Sequence, residues 1–477
     1  MDIADDERRK HQRQTRLTAL IVACALFMQN LDGTVIATAL PTMARDFGSD
    51  PVRMNIALTS YLLSLAVFIP ASGWMADRYG SRQVFRASII VFTIGSILCG
   101  RATSLEFLVF ARILQGVGGA MMVPVGRLLL LRTAAKSEVL DAMAWLSMPA
   151  LIGPILGPPL GGFIVSYVSW RWVFDINVPI GLLGIVLVTR YAPKTDDVRP
   201  AKLDGWGLLW SGLCLAFLMG ASETVGRGLV PPWVQAVLLG GGTLFGIFYW
   251  RHARRHPAPL LDFTLFRYPT FLVSVLGGSV FRLGVGAIPF LLPLMMQIAF
   301  GYSPAKSGMI TFASAAGAIL MKPAAMRMLR RFGYRDTMLI NSVLTSLLLL
   351  ACATFRIDTP LWWIYAILLL GGFFRSLQFT AYNSVAYAEV PREQMSASTA
   401  LYATIQQISL TLGVTVGAAV LEASMHITGH GAPGVEDFST AFLVIGSACV
   451  AAIPTTLLMA RNAADDMSGH VPHKPRP

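Results

Sequence analysis

The chain is written largely in apolar letters, broken at short intervals by basic clusters and Gly/Pro-rich steps. The apolar runs are unbroken over ~20 residues. A helix of that length, rising 1.5 Å per residue, crosses a hydrocarbon layer of ~30 Å. Fourteen such runs can be drawn, at about 17–40, 55–76, 84–101, 105–130, 139–168, 171–190, 203–223, 232–251, 269–298, 305–328, 337–356, 360–389, 397–424 and 438–460. A membrane β-barrel would alternate apolar and polar residues, and these runs do not. The pattern predicts an all-α polytopic membrane protein with 14 transmembrane helices.

Composition agrees. Of 477 residues, 55% are hydrophobic and 13% charged, and mean hydropathy is +0.60; a soluble protein carries about 25% charge. The net charge of +12 is explained by topology. With the N-terminus inside, 26 of the 38 Lys and Arg fall in segments assigned to the cytoplasm, seven in outer segments and five within spans. Positive residues retain cytoplasmic loops in this way, so the charge is no sign of nucleic-acid binding. An even number of spans returns the C-terminus to the cytoplasm. Residues Asp2 to Arg16 are polar and lead straight into a long span without a short apolar core and small-residue cleavage site, so they are expected to be a cytoplasmic tail and no signal peptide.

Other chemistries lack their residues. The five Cys all sit in apolar runs without metal-ligand spacing. No Gly-x-x-x-x-Gly-Lys-Ser/Thr stretch implies an ATP-driven step, and no serine elbow or paired-His motif implies hydrolysis. The seven His fall in tails, loops or span ends, which argues against haem, a His-ligated metal and a His proton relay. The expectation is a protein that is no enzyme and uses no cofactor beyond a proton gradient.

A repeat sets the domain organisation. Gly73-Trp74-Met75-Ala76-Asp77-Arg78-Tyr79-Gly80-Ser81-Arg82 forms a short polar stretch between two spans, and Arg331-Phe332-Gly333-Tyr334-Arg335 repeats it 253 positions later. Pro70 and Pro323 precede the two copies in the same register. The acid is kept only in the first copy, because Asp77 maps to Arg330. The expected division is a cytoplasmic tail (1–16), a six-helix bundle (17–190), linkers with two inserted helices (191–268), a second six-helix bundle (269–461) and a tail (462–477). Two parallel halves with a site near mid-membrane between them form a transporter plan.

At these residues the chain resembles the major facilitator superfamily, and more closely its fourteen-span drug:proton antiporters (EmrB/QacA-like). Gly73–Arg82 resembles the superfamily's loop signature, with Ser81 in place of a basic residue. Leu31-Asp32-Gly33-Thr34 through Leu40-Pro41 resembles the antiporters' first-span signature, with Ala37 where Asn is usual. Arg112-Ile113-Leu114-Gln115-Gly116-Val117-Gly118-Gly119 resembles the fourth-span signature, and Gly153-Pro154 through Pro158-Pro159-Leu160-Gly161-Gly162 the fifth. Trp170-Arg171-Trp172-Val173-Phe174 with Asn177-Val178-Pro179 is typical of the fourteen-span group. The wording around Met121–Arg127 is similar to the MdtD-like bacterial subgroup. The resemblance implies the major facilitator fold, two six-helix bundles plus two inserted helices, in a bacterial inner membrane. It implies a multidrug-efflux activity. It also implies that Gly73, Asp77, Arg78, Gly80 and Arg82 act as a conformational latch, and that Gly153, Pro154, Gly157, Pro158, Gly161 and Gly162 form a bent helix sealing the halves.

Ionisable residues inside spans are costly in lipid and mark interior sites. Asp32 and Arg112 fall at matched depth, roughly 10–14 Å from the outer edge of their spans. They are the expected proton-coupling pair, with a static ion pair as the structural alternative. Gln115 lies one turn from Arg112. Arg282, Lys322 and Arg375 in the second half, with Gln29 and Gln115 in the first, are expected to line the substrate cavity; Gln29 maps onto Arg282 in the repeat. Arg127, near the cytoplasmic edge of its span, is left open between snorkelling and an interior place. Four basic residues against one deep acid, Asp32, suit an organic anion or a neutral amphiphile better than a cationic drug. The expected activity is proton-coupled export of small amphiphilic or anionic compounds by a monomer in the lipid bilayer, with a periplasmic adaptor protein as an open partner. A dedicated organic-anion or metal–carboxylate exporter and a non-transporting sensor of the same fold remain open.

Overall fold

A computed structural model describes residues 2–48, 54–135, 138–193, 202–224, 230–429, 433–460 and 463–468. Arg53, Lys136, Lys194, Arg199, Arg227, Arg461, Lys474 and Arg476, used above for orientation, lie outside the described residues. So do most of the 462–477 tail and the side chains of Pro154 and Pro158.

The secondary structure is helical along the described chain. In order the helices are α1 (Asp2–Asp46), α2 (Asn55–Phe68), α3 (Ser72–Tyr79), α4 (Ser81–Gly100), α5 (Leu105–Thr133), α6 (Val139–Tyr167), α7 (Trp172–Asp175), α8 (Asn177–Tyr191), α9 (Gly205–Thr224), α10 (Pro232–Ala253), α11 (Pro269–Leu294), α12 (Pro304–Leu320), α13 (Lys322–Ala351), α14 (Leu361–Val385), α15 (Met395–Thr428), α16 (Val435–Val450), α17 (Ala452–Leu457) and α18 (Asp465–Ser468). In lipid a helix satisfies its own backbone groups, which is why apolar runs take this form. Among the described residues twelve helical stretches are long and apolar enough to cross a membrane. α6 and α12 occupy the other two predicted spans, and the protein is a multi-pass membrane protein. α1 begins at Asp2, well before its apolar run, and Thr15 Oγ1 donates to Glu138 Oε2 at 2.8 Å.

By its contacts the chain divides into two compact units. The first comprises Met1–Leu218, Gly240–Phe263 and Pro391–Thr404. Within it α1 packs on α6 and α8, and α5 packs on α2 and α4. α5 approaches closely because it is notched: a Cβ on Gly116 would fall 2.8 Å from the Tyr61 carbonyl oxygen, and one on Gly118 2.6 Å from the Phe92 nitrogen. One end of α1 is clamped by the turn before α7, where Trp170 Nε1 donates to Asp46 Oδ2 at 2.7 Å and the Trp170 ring meets Phe47 edge-on at 5.6 Å. The inserted helices meet through aromatic rings, Trp210 stacking on Phe245 at 5.9 Å.

The second unit comprises Met219–Leu239, Thr264–Val390 and Ile405–Pro477. α14 packs on α12 and α13, and α16 on α11 and α13. Its core is built from buried Leu291, Phe300, Leu349, Phe355, Phe438 and Phe442.

The sequence repeat is visible in the backbone. Gly80 separates α3 from α4 at φ 82, ψ 136, and Gly333 interrupts α13 at φ 72, ψ 171. Each copy also breaks one helix near its proline, at the 3-10 turn Ile69–Ala71 and at Met321 between α12 and α13, since proline supplies no N–H. α13 is in fact two helices joined at Gly333, so predicted spans ten and eleven are parted by that turn, inside the second motif copy. L-residues rarely adopt these glycine conformations, so Gly80→Ala and Gly333→Ala should each lower stability by about 1–3 kcal/mol in denaturant titration. Gly162→Ala meets nothing within 4 Å and should be neutral or mildly stabilising.

Candidate functional site

In the first unit, five helices converge on Asp32. Arg112 Nη1 donates to Asp32 Oδ2 at 2.6 Å, and both side chains are fully buried. Gln115, one turn along α5, links the two: its Oε1 accepts from Arg112 Nη1 at 2.6 Å and its Nε2 donates to Asp32 Oδ1 at 2.9 Å. Asn177, the first residue of α8, donates to Asp32 Oδ1 at 2.9 Å. Ser96 Oγ on α4 accepts from Gln115 at 2.8 Å and from Asn177 at 3.3 Å. Arg112 Nε donates to the Ala57 carbonyl of α2 at 3.1 Å, and its guanidinium lies 4.2 Å from the centre of the Tyr61 ring.

Buried charge is tolerated only when paired and hydrogen-bonded. Here three donors meet the carboxylate, while a carboxamide oxygen, a backbone carbonyl and an aromatic face share the guanidinium. The network is nearly saturated; Arg112 Nη2 and Asn177 Oδ1 lack hydrogen-bond partners among the described residues. Asp32, Arg112 and Gln115 are thus brought together. Gln29 is buried one turn earlier, against Gly119, and does not bond to Asp32. Ser96, Asn177, Tyr61 and the Ala57 carbonyl were not legible as members of the site. They are neutral groups spread over α2, α4 and α8, and the only signal was that Asn177 follows the Trp170–Phe174 motif.

The second unit holds the other predicted cations around α14. Arg282 on α11 is buried, its guanidinium 5.7 Å from the Phe379 ring centre. Lys322, 9% exposed, donates from Nζ to Thr380 Oγ1 at 3.2 Å. Arg375 donates to Ser314 Oγ. Among the described residues no carboxylate pairs with Lys322 or Arg375. The unit's buried acid, Asp437, caps α16 through the Gly434 N–H at 2.9 Å and accepts from Ser424 at 2.6 Å. Glu389 accepts from the Thr270 N–H and hydroxyl at the start of α11, at 3.0 and 2.9 Å. The census of four cations against Asp32 is revised accordingly: Arg112 is committed to Asp32. Arg127 takes the interior of its two open placements. It is 4% exposed, with its guanidinium 5.2 Å from the Tyr402 ring centre, rather than snorkelling to water.

The loop motif forms a second polar cluster in the first unit. Asp77 Oδ1 accepts from Arg132 at 2.9 Å, and Asp77 Oδ2 accepts from Ser396 Oγ, one residue into α15. A Cβ on Gly73 would lie 2.8 Å from the Ser396 carbonyl oxygen, so only glycine permits this approach. Arg82 donates to the Thr189 carbonyl near the end of α8, and Arg78 is exposed. On α6, Gly153 and Gly157 face α1: a Cβ on Gly153 would sit 2.8 Å from Asn30 Cβ, and one on Gly157 would overlap Thr34. Gly161 is buried on the same face. The glycine face therefore packs against the helix that carries Asp32.

Long apolar helices, a backbone repeat and a buried ion pair deep in the spans define a class of carrier. The chain belongs to the Major Facilitator Superfamily, whose family model matches residues 22–281 and 274–476, and it is a secondary transporter and no enzyme. It falls with the MdtD-like subgroup: MdtD of Salmonella heidelberg (strain SL476), a protein named for multidrug resistance, is 38% identical over 415 residues, 85% of this chain and 86% of the relative. Two solved structures share the fold. The human organic anion transporter MFSD10 (TETRAN) aligns with a TM-score of 0.66 at 15% identity, covering 93% of this chain and 99% of that one. The proton:xylose symporter XylE aligns with a TM-score of 0.65 at 14% identity, covering 93% and 95%.

Proposed function

We propose that the protein exports small organic anions and neutral amphiphiles in exchange for protons, by alternating access, as an efflux carrier of the multidrug type. The observation that carries this reading is the distribution of buried charge. Asp32 is neutralised by Arg112, whereas the buried Lys322 and the half-buried Arg375 have no carboxylate partner among the described residues. A desolvated cation without a counter-ion is unfavourable, and an anionic substrate supplies the missing charge. The name of the MdtD relatives supports efflux as the direction.

Asp32 is the proton carrier in this scheme. When it takes a proton its charge is lost and its hold on Arg112 weakens. Arg112 is then kept in place by Gln115, the Ala57 carbonyl and the Tyr61 ring. Gln115 touches both members of the pair and so transmits the change along α5. Asp77, with Arg132 and Ser396, controls when the site opens to each side. In this reading the membrane is a bacterial inner membrane with both termini on its cytoplasmic side, as the bias of loop charges supports. In this scheme the protein works as a monomer, and a periplasmic adaptor is a partner to be sought by crosslinking.

The test is transport in proteoliposomes under an imposed pH gradient, comparing an aromatic carboxylate with a cationic dye of similar size. Proton-coupled movement of the carboxylate is expected. Preference for the cation would overturn the anion reading, and binding of either probe without flux would favour a sensor.

A further inference from the structure

At the ends of the inserted helices, away from the Asp32 network, two imidazoles and a carboxylate meet. Asp204 directly precedes α9, and His252 lies in the last turn of α10. His256 follows one turn later, because its N–H still bonds to the His252 carbonyl at 2.9 Å. The two rings stack at 5.1 Å with an interplanar angle of 29°. One ligand atom from each of the three residues lies within 4.8 Å of the others.

Asp204 makes the cluster more than an ion pair. Its side chain is 3% exposed. Oδ1 accepts from the Gly207 N–H at 2.8 Å, capping α9, and contacts His252 Nε2 at 2.7 Å. Oδ2 is buried with no hydrogen-bond partner among the described residues. A buried carboxylate oxygen without a donor is costly and needs an explanation. A simple Asp204–His252 staple accounts for Oδ1 only. It leaves Oδ2 and the placement of His256 unexplained.

We propose that Asp204, His252 and His256 form a binding site for a divalent transition metal ion that joins the start of α9 to the end of α10. Two His four residues apart, one in the last turn of α10 and one just past its end, plus a carboxylate from another element, suit borderline ions such as Zn²⁺, Co²⁺ or Ni²⁺ rather than Mg²⁺ or Ca²⁺, which favour oxygen donors. Tetrahedral coordination with bonds of ~2.0–2.1 Å separates ligand atoms by ~3.3 Å. Reaching it requires the Asp204–His252 contact to open and the widest pair to close. The His252 side chain is 22% exposed, which gives an entry route and leaves the remaining position to water. The ion also gives Oδ2 its missing partner. His256 Nδ1 accepts from the Ala258 N–H at 3.3 Å, a long bond that yields if that nitrogen takes the metal. The positions of the seven His along the chain argue against such a site. Its third ligand is 48 residues from His252, so no local spacing announces it.

The experiment uses the full chain in detergent, freed of any affinity tag and stripped with chelator, and titrates it with Co²⁺ followed by Zn²⁺ competition. One Co²⁺ per chain with a low-coordinate visible spectrum is expected, displaced by Zn²⁺ and indifferent to Mg²⁺. His252→Ala and His256→Ala should each weaken binding by more than about 10-fold. Asp204→Asn should do the same while keeping the helix cap, since Asn caps as well as Asp. His256→Ala changes a partly exposed side chain, so it tests the site even if the other variants fold poorly. The proposal is overturned if the wild type binds no Co²⁺, or if binding is unchanged in a variant lacking both histidines.

Discussion

Arg112→Met is expected to lower stability by about 3–5 kcal/mol and to reduce proton-coupled flux to the level of empty liposomes. The substitution leaves the Asp32 carboxylate, 1% exposed, with only the Gln115 and Asn177 donors. The stability loss is the penalty of an uncompensated buried charge, and it does not measure the net worth of the pair. The double variant Asp32→Leu with Arg112→Met separates the two roles. It removes both charges and should recover most of the lost stability. Recovery should be partial, because Gln115 Oε1 loses its Arg112 donor. Transport should not recover at all. Asp32→Asn should abolish the component of flux driven by a pH gradient while substrate still binds. Denaturant titration in mixed micelles gives the stabilities, and proteoliposome flux the activities. A double variant that pumps at the wild-type rate would make the pair purely structural and move the proton carrier elsewhere.

The fold was legible because lipid imposes one solution on a long apolar run. Fourteen such runs, biased loop charges and the Gly73–Arg82 repeat led to the architecture, and Gly80 and Gly333 show that repeat as matching backbone turns. Asp32 and Arg112 were legible because a charge inside a span is rare enough to stand out, and equal depth suggested that they meet. Ser96 and Asn177 were not, because they carry no charge to mark them out and only packing shows which neutral polar residues face one. The break between the tenth and eleventh spans was legible for the same reason as the first copy's: Gly333 turns the chain between two helices, as Gly80 does. The Asp204–His252–His256 cluster was hidden because it depends on the inserted helices bringing distant ends together.

Lys322→Met is expected to act oppositely on stability and on function. Lys322 is 9% exposed, its Nζ has Thr380 Oγ1 as partner at 3.2 Å, and no carboxylate pairs with it among the described residues. Methionine fills similar volume without a charge to desolvate, so the variant should unfold at a higher temperature than the wild type. If the cation receives an anionic substrate, the same change removes one charge-assisted hydrogen bond, worth about 1.5–3 kcal/mol, and should raise the dissociation constant for a carboxylate probe by roughly 10- to 100-fold. Arg375→Gln should weaken carboxylate binding by a similar factor, because Gln can still bond to Ser314 but brings no charge. A neutral amphiphile of the same size should bind both variants as it binds the wild type, and that contrast identifies the lost term as electrostatic. Equal weakening for the neutral and charged probes would show that Lys322 and Arg375 shape the second unit without reading substrate charge. A variant that is less stable than the wild type would show that Lys322 has a partner that compensates its charge. The opposed signs arise because the wild type keeps a buried, unpaired cation at a cost to its own stability, and only a bound anion offsets that cost.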